Sequence, residues 1–441
     1  MKGSEYWEID LDGPSFAVRW GRVGGEERRE TQSFGSAAKA RKKHDQLVAG
    51  MRAKGFCEAL EPDDPVPSPT RVFRDEALEA AIRTHRGEEQ HYLVYADWLQ
   101  SQGDRRGELI AVQHALSRGR TLELAKREEK LLAALGLESA RPAATFHWKW
   151  GFWDWLRLEH EDRGVWRDQD HDPLLAARRL FAAPACAALR ELRIGVLRWG
   201  RNHEDVPAVL HEAGWYPWAA DLERLHLGDV VDVDLDHYVV GAVGQAVSAH
   251  FPGLRSLVVH SGSHETGERL ELDGLELLLL EELAVETCSL SAAHLASLFA
   301  ADLPSLTALD LWFGSARYGC DCDLDPLSPL LDGLVFPGVT RLGLRNAEFE
   351  DELARAIGEA PIAERLESLD LSMGTLGDDG ARSLAAQARR FPNLKRLDVS
   401  RNFLGPEGIA ALQRAFPAID ARDQKVDFDG DPARRYVSAW E

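Results

Sequence analysis

The chain has no apolar run long enough to cross a membrane. Its richest apolar stretch, residues 275–283, is interrupted by three glutamates, whereas a membrane helix needs about 18 or more apolar residues in a row. Residues 1–10 lack the apolar segment of a signal peptide. The five cysteines stand at irregular positions and do not make a disulfide framework, which favours a reducing compartment. We therefore expect a cytoplasmic protein without a membrane partner.

Signatures of catalysis are also missing. The sequence contains no GxSxG, Walker P-loop, GxGxxG or HExxH motif. One segment collects potential metal ligands, because Cys320 and Cys322 alternate with Asp321, Asp323 and Asp325. No second Cys or His pair lies nearby in sequence to complete a tetrahedral site. We predict a non-enzyme with no cofactor, no metal and no small-molecule substrate; the alternative is an unrecognised catalytic site at residues 320–325.

Negative charge dominates the composition, but its distribution is uneven. The net charge is −21, which argues against nonspecific nucleic-acid binding by the chain as a whole. Residues 1–60 hold 11 Lys and Arg against 9 Asp and Glu, a balance of +2, so the rest carries −23. Within residues 35–55, six basic residues face a single acidic one. A basic patch on an acidic protein indicates a specific role for the N-terminal segment.

The pattern L-x-x-L-x-[LIV] recurs through the C-terminal half of the chain. Successive copies start 33, 32, 26, 26, 33, 27 and 28 residues apart. Each copy predicts a short strand with alternate residues buried, and the intervals leave room for a helix. Such units must stack to share a core, which predicts an α/β solenoid. The eight copies begin at Leu189, Leu222, Leu254, Leu280, Leu306, Val339, Leu366 and Leu394, and a degenerate ninth at Trp153.

These repeats resemble the ribonuclease-inhibitor-like class of leucine-rich repeats over residues 150–420. The resemblance implies a strand–helix horseshoe with a protein partner on its concave, strand-lined face. A Trp beside charged residues is typical of interface anchors. For any single residue of the predicted surface, the simpler interpretation is a solvated strand residue. The strand positions that do not point inward, and so predict the binding surface, are His226, His260, Asp310, Trp312, Arg345, Asp370 and Asp398.

The N-terminal segment predicts a small α+β module. Trp7, Ile9 and Leu11 alternate with acidic residues. After a turn, Phe16, Val18 and Trp20 alternate with an alanine and an arginine. A third strand is predicted over residues 28–34. Ser36 is a suitable N-cap for a helix with apolar residues at helical spacing and lysines on its other faces.

The order and spacing of these residues resemble a WGR domain. The matching features are the motif Arg19–Trp20–Gly21–Arg22, the upstream strand at residues 6–9 and a basic helix that ends at residues 54–56. In poly(ADP-ribose) polymerases this module binds DNA ends and nicks. The resemblance implies that Trp20 stacks on a sugar or base and Arg22 pairs with phosphate, with Lys39, Lys42 and Lys43 in support. Alternatively, Trp20 belongs to the core, and the module binds protein or is purely structural. The predicted connector and repeats occupy the chain from about residue 71 onward, so we expect no room for the catalytic domain of the polymerases.

The remaining segments complete the predicted order of domains. We predict a WGR domain at 1–60, a proline-rich linker at 61–70, a helical connector at 71–140, a repeat solenoid at 141–425 and a tail at 426–441. The connector resembles a bacterial repeat-companion domain at residues 93–108. The Trp-rich residues 147–155 predict an aromatic cap on the first repeat, with an aromatic cage for a small cation as the alternative.

Together these features predict a bacterial adaptor. The repeats bind a protein partner, and the WGR module binds nucleic acid at DNA ends or nicks. The main alternative is a pure protein-interaction scaffold in which the WGR module is structural.

Overall fold

The computed structural model describes residues 5–12, 14–22, 27–52, 72–135, 144–159, 172–198, 201–230, 238–262, 270–426 and 434–439. The chain divides into two compact units, Met1–Val72 and Phe73–Glu441. The predicted proline-rich linker at 61–70 lies outside the described residues. Over the described ranges, no helix combines the length and the apolarity needed to span a bilayer.

The first unit is an antiparallel sheet with one helix. Strands β1, β2 and β3 pair in chain order, and Ile9 lies opposite Val18. Phe16 is fully buried, with its ring centroid 5.4 Å from that of Phe34. The backbone N–H of Lys39 donates to Ser36 Oγ at 3.4 Å, so Ser36 caps the helix as predicted. The elements are β1 Glu5–Asp12, β2 Ser15–Arg22, β3 Glu27–Ser33 and α1 Ala37–Arg52.

The second unit begins with four helices, in the segment for which the sequence predicts a helical connector. Asp75, Asp104 and Thr121 each accept a hydrogen bond from a backbone N–H in the first turn of the helix that follows, which satisfies donors that a helix N-terminus otherwise leaves unpaired. The helices are α2 Glu76–Thr84, α3 Glu89–Ser101, α4 Arg105–Arg118 and α5 Leu122–Ala134.

An 11-stranded sheet forms the rest of the second unit, with its strands in strict chain order. β4 is antiparallel to β5, and β5 to β14 are parallel. The strands are β4 Ala144–Lys149, β5 Phe152–Leu158, β6 Glu191–Ile194, β7 Arg224–Leu227, β8 Ser256–His260, β9 Glu282–Glu286, β10 Ala308–Trp312, β11 Arg341–Arg345, β12 Ser368–Asp370, β13 Arg396–Asp398 and β14 Ile419–Asp420.

Helices alternate with these strands and share their core. The leucines of adjacent strands lie in register, as with Leu309 and Leu342, and they belong to one continuous buried cluster with helical residues such as Leu353, Leu384 and Leu412. The helices are α6 Pro173–Phe181, α7 Asn202–Ala213, α8 Gly244–His250, α9 Ala292–Phe299, α10 Ser328–Leu331, α11 Glu350–Glu359, α12 Asp378–Ala386 and α13 Pro406–Ala415. Each strand–helix unit therefore buries its apolar side only against its neighbours.

The sheet extends beyond the eight regular sequence copies at both ends. Leu156 of β5 lies in register with Leu192 of β6, so the degenerate copy at Trp153 is a strand of the same sheet. At the other end, β14 adds a two-residue strand. The C-terminal residues 434–439 then return to the repeats, where Val437 is buried and the backbone N–H groups of Ser438 and Ala439 donate to Asn346 Oδ1, each at 2.9 Å.

Candidate functional site

The two sides of the parallel sheet differ in their side chains. The alternating burial of β8 and β10 places leucine and valine on the helix side and half-buried residues on the other. Because side chains of a strand alternate between faces, the predicted binding residues share this second side. We call the strand residues that alternate with the buried leucines the strand face.

Arg345 connects three neighbouring strands of this face. Its Nη1 lies 3.2 Å from Asp310 Oδ2 of β10, and its Nε lies 3.4 Å from Asp370 Oδ2 of β12. Its guanidinium carbon lies 4.9 Å from the ring centroid of Trp312, within the range of a cation–π contact. Nε also donates to Ser372 Oγ at 3.0 Å. One arginine thus fixes two carboxylates and an aromatic ring.

A second set of contacts continues toward β8. The ring centroids of His260 and Trp312 are 6.1 Å apart and nearly perpendicular. His260 Nδ1 lies 3.0 Å from Glu286 Oε2, and the two residues are paired in register on β8 and β9. These contacts join six half-buried residues, which we call the Arg345 cluster: His260, Glu286, Asp310, Trp312, Arg345 and Asp370.

Small residues beside the cluster leave a depression in the strand face. Val258, Ala284 and Gly343 occupy the same position on their strands as Asp310 does on β10. The depression has a volume of about 270 Å³ and includes Asp310 and Asp370 in its lining. A Cβ at Gly343 would lie 2.5 Å from Asp310 Oδ1, so glycine is what allows this carboxylate to lie over the neighbouring strand.

Acidic groups exceed basic groups in this part of the face. Burial raises the pKa of Asp310 to about 6, although Arg345 opposes the shift. Burial also raises the pKa of Asp370. Asp310 Oδ1 and Trp312 Nε1 are buried without a hydrogen-bond partner among the described residues. A buried polar atom without a partner is unfavourable, so the fold leaves hydrogen-bonding capacity unused at this cluster.

Two predicted residues of the strand face lie outside the Arg345 cluster. Asp398 is the register neighbour of Asp370 and accepts a hydrogen bond from the backbone N–H of Ser400 at 2.9 Å. His226 lies between Arg193 and Val258 in register, toward the other end of the sheet, and burial lowers its pKa. The structure therefore brings five of the seven predicted residues into direct contact and leaves these two apart.

Glu286 and Gly343 belong to the site but were not among the predicted residues. Glu286 is the residue directly after the second buried position of its strand. The equivalent residues of the other strands are His260, Trp312 and Arg345. Comparing that position in every repeat would have identified it. The role of Gly343 depends on the direction of the Asp310 side chain, for which the sequence has no signal.

The N-terminal unit presents a basic helix surface and a half-buried tryptophan in its sheet. Lys39, Lys42 and Lys43 of α1 are exposed, and their spacing of three and four residues places them on one side of the helix. Trp20 is half-buried in β2, whereas Phe16 of the same strand is fully buried. Arg22 ends β2, and its side chain lies outside the described residues.

The segment predicted as an alternative catalytic site uses two of its carboxylates in hydrogen bonds to backbone N–H groups. Asp321 Oδ1 accepts a hydrogen bond from the backbone N–H of Ala292 at 2.7 Å, and Asp323 Oδ1 accepts one from Asp325 N–H at 3.0 Å. A hydrogen bond to Cys322 lowers the pKa of the Cys320 thiol. Asp321 thus joins the loop after β10 to the N-terminus of α9, and Asp323 organises the loop itself.

Family models match the chain at both ends. The WGR domain matches residues 2–63, and the leucine-rich repeat matches residues 366–385 and 392–412. The chain therefore carries a WGR domain and leucine-rich repeats, which typically mediate nucleic-acid and protein interactions. The likeness of the connector to a repeat-companion domain stays a prediction.

Solved structures give a likeness of fold. A crystal structure of a Bacteroides fragilis protein aligns with a TM-score of 0.54 and 19% identity over 99% of this chain and 96% of that one. An internalin of Listeria monocytogenes aligns with a TM-score of 0.27 and 15% identity over 56% of this chain and 70% of that one, a score that supports no inference. No curated protein matches the chain.

Proposed function

We propose that this protein is a non-enzymatic cytoplasmic adaptor whose strand face binds a protein partner and whose WGR domain binds nucleic acid at DNA ends or nicks. The Arg345 cluster is the observation that carries the proposal. It places a tryptophan, an arginine and unsatisfied polar atoms beside a depression, and such aromatic and arginine anchors dominate binding energy at protein interfaces. In the proposed horseshoe, this face is the concave one.

The partner contributes a basic group to the depression. Asp310, Asp370 and Asp398 occupy equivalent positions on β10, β12 and β13, and within the cluster Arg345 serves two of them. A lysine or arginine from the partner would pair with the remaining charge, and complementary charges of this kind steer association and fix its register.

Charge reversal tests this surface. We expect Asp370→Lys with Asp398→Lys to abolish cross-linked capture of the partner from lysate of cells in which the protein is native. The matched control is Asp379→Lys with Glu407→Lys, which changes the net charge by the same amount. These two side chains lie on α12 and α13 and are 83% and 86% exposed. Equal recovery of the same proteins by both variants would contradict the proposal.

Support for nucleic-acid binding comes from the basic side of α1. Three exposed lysines on one helix face and a half-buried aromatic ring in the neighbouring sheet supply phosphate contacts and a stacking surface. The rest of the chain is acidic, so the WGR domain is the part of the protein whose charge suits DNA.

Fluorescence anisotropy with 5′-phosphorylated nicked, blunt and single-stranded DNA tests this role. We expect salt-dependent binding that favours ends and is lost in Arg22→Ala, while Lys42→Ala lowers the salt slope by about one. Lys126→Ala with Lys130→Ala, on α5 of the other unit, is the control and should bind as the wild type does. Absence of binding at low salt would instead support a pure protein scaffold.

A further inference from the structure

We infer that His85, Glu88 and His91 form a zinc-binding site on the turn between α2 and α3. His85 is the first residue after α2, Glu88 immediately precedes α3, and His91 lies in the first turn of α3. The inference uses no residue of the strand face or the WGR domain, so it stands or falls independently of the proposed function.

The Glu88 carboxylate lies at distances from both imidazoles that suit a tetrahedral zinc site. His85 Nδ1 lies 3.4 Å from Glu88 Oε1, and His91 Nε2 lies 3.3 Å from Glu88 Oε2. One ligand atom from each residue lies within 4.8 Å of the other two. Zinc–ligand bonds of about 2.0–2.1 Å at tetrahedral angles put ligand atoms about 3.3 Å apart. An ion fits once the two imidazoles, which are nearly parallel, turn so that one nitrogen of each ring faces it.

The backbone of this turn is fixed by the rest of the second unit. The N–H of Glu88 donates to the carbonyl of His85 at 2.9 Å. Between these ligands, Arg86 donates to the carbonyls of Ala188 and Asp221 at 2.5 and 2.7 Å. The Arg86 carbonyl in turn accepts from Lys149 Nζ at 3.0 Å. A site whose backbone is already held loses less conformational entropy when the metal binds.

Donor type and exposure favour zinc over other common divalent ions. Two imidazoles and one carboxylate suit zinc, whereas magnesium and calcium take oxygen ligands. The imidazoles of His85 and His91 are stacked, with centroids 4.8 Å apart and planes 14° apart. The side chains of His85 and Glu88 are 47% and 52% exposed, so an ion can enter from solvent and keep water as a fourth ligand. Gln90 Nε2 donates to Glu88 Oε2 at 3.0 Å and orients the carboxylate.

Zinc titration of the metal-free full chain tests the site. With ZnCl₂ in competition with a chromophoric zinc indicator, we expect one tight site per chain. His85→Ala and His91→Ala should each weaken that binding at least tenfold, because two remaining ligands hold zinc poorly. Zinc should also raise the melting temperature of the wild type but not of His91→Ala, since a metal that binds only the folded turn stabilises it.

The chain provides a matched control in a second imidazole pair. His211 Nδ1 lies 2.9 Å from His250 Nε2, but this pair does not meet a third ligand among the described residues. We therefore expect His250→Ala to bind zinc as the wild type does. Unchanged zinc affinity in His91→Ala, or its loss in His250→Ala instead, overturns the inference. Far-UV circular dichroism checks that each variant is folded, and Glu88→Gln, which keeps the hydrogen-bonding capacity, should also lose affinity.

Discussion

At the scale of single residues, the strand face shows what burial does to a carboxylate. Arg345 favours the charged form of Asp310, whereas burial away from water disfavours it. The effect of burial is the larger one, so the pKa of Asp310 rises from 3.8 to about 6. The ionised carboxylate therefore contributes less to stability than the protonated one.

Replacing Asp310 by Asn should flatten the pH dependence of stability. A raised native pKa means that the contribution of Asp310 to stability is present below its ordinary pKa of 3.8 and is lost as pH rises through about 6. At pH 7 we expect Asp310→Asn to be more stable than the wild type by on the order of 1 kcal/mol. Urea unfolding at pH 5, 6 and 7 measures this. Asp379→Asn, at an exposed position, is the control, and equal slopes in wild type and Asp310→Asn would refute the explanation.

Removing Arg345 should have the opposite effect. Without its guanidinium, Asp310 and Asp370 lose the cation that lies 3.2 and 3.4 Å from them, so we expect Arg345→Ala to lose about 1–3 kcal/mol at pH 7 and less at pH 5. Arg341→Ala on the same strand is the comparison, because its pair with Glu282 joins side chains 46% and 55% exposed and such pairs contribute below about 1 kcal/mol. Similar losses in both variants would contradict the special role of Arg345.

At the scale of elements, a single asparagine shows how successive repeats are joined. Asn402 is fully buried, and its Nδ2 donates to the carbonyls of Leu371 and Val399 at 2.6 and 3.1 Å. Its Oδ1 accepts from the backbone N–H of Leu376 at 3.1 Å. The side chain thus satisfies backbone groups of the preceding repeat that the strands leave unpaired.

Asn402→Ala should therefore destabilise the last repeats strongly. We expect a loss of about 2–3 kcal/mol, because the substitution takes away the partner of the Leu371 carbonyl and of the Leu376 N–H, whereas the Val399 carbonyl keeps a bond from Gln424. Asn393→Ala is the control, because Asn393 Nδ2 also donates to a backbone carbonyl, that of Glu364 at 2.7 Å, but at an exposed position. This substitution should lower the free energy of unfolding by less than about 0.5 kcal/mol. Urea midpoints of the two variants should differ clearly, and coincident midpoints would argue against this role of Asn402.

The sequence predicts the strands well because their burial alternates with a period of two. It therefore identifies His260, Trp312 and Arg345 as residues of one sheet face. It does not reveal that Glu286 pairs with His260, since that contact depends on side-chain direction across the register. The zinc ligands were missed for a different reason: their spacing of three residues across a turn between helices does not match HExxH, which requires one continuous helix. The return of residues 434–439 to Asn346 has no local sequence signal at all.

At the scale of the whole molecule, the chain combines two compact units of different charge. The boundary between the compact units falls after Val72. Residues 1–72 hold 12 Lys and Arg against 12 Asp and Glu, so residues 73–441 carry the whole net charge of −21. Within the second unit, Arg83 of α2 is almost fully buried, and it donates to Asp221 at 2.7 Å and to the Ala187 carbonyl at 3.2 Å. The connector helices are thereby bound to the repeats and should unfold with them.

A fragment that spans Phe73–Glu441 should retain this cooperative structure and lose DNA binding. Its connector and repeats share buried contacts, such as those of Phe152 with Tyr95 and of Ala187 with the same cluster, so we expect its melting temperature to match the main transition of the full chain. With its large negative charge, the fragment should show no anisotropy change with nicked DNA even at low salt. Zinc binding and partner capture should persist, because their residues all lie within it. If the fragment bound DNA as tightly as the full chain, the nucleic-acid site would lie outside the WGR domain and the assignment of Trp20, Arg22 and the α1 lysines would be wrong.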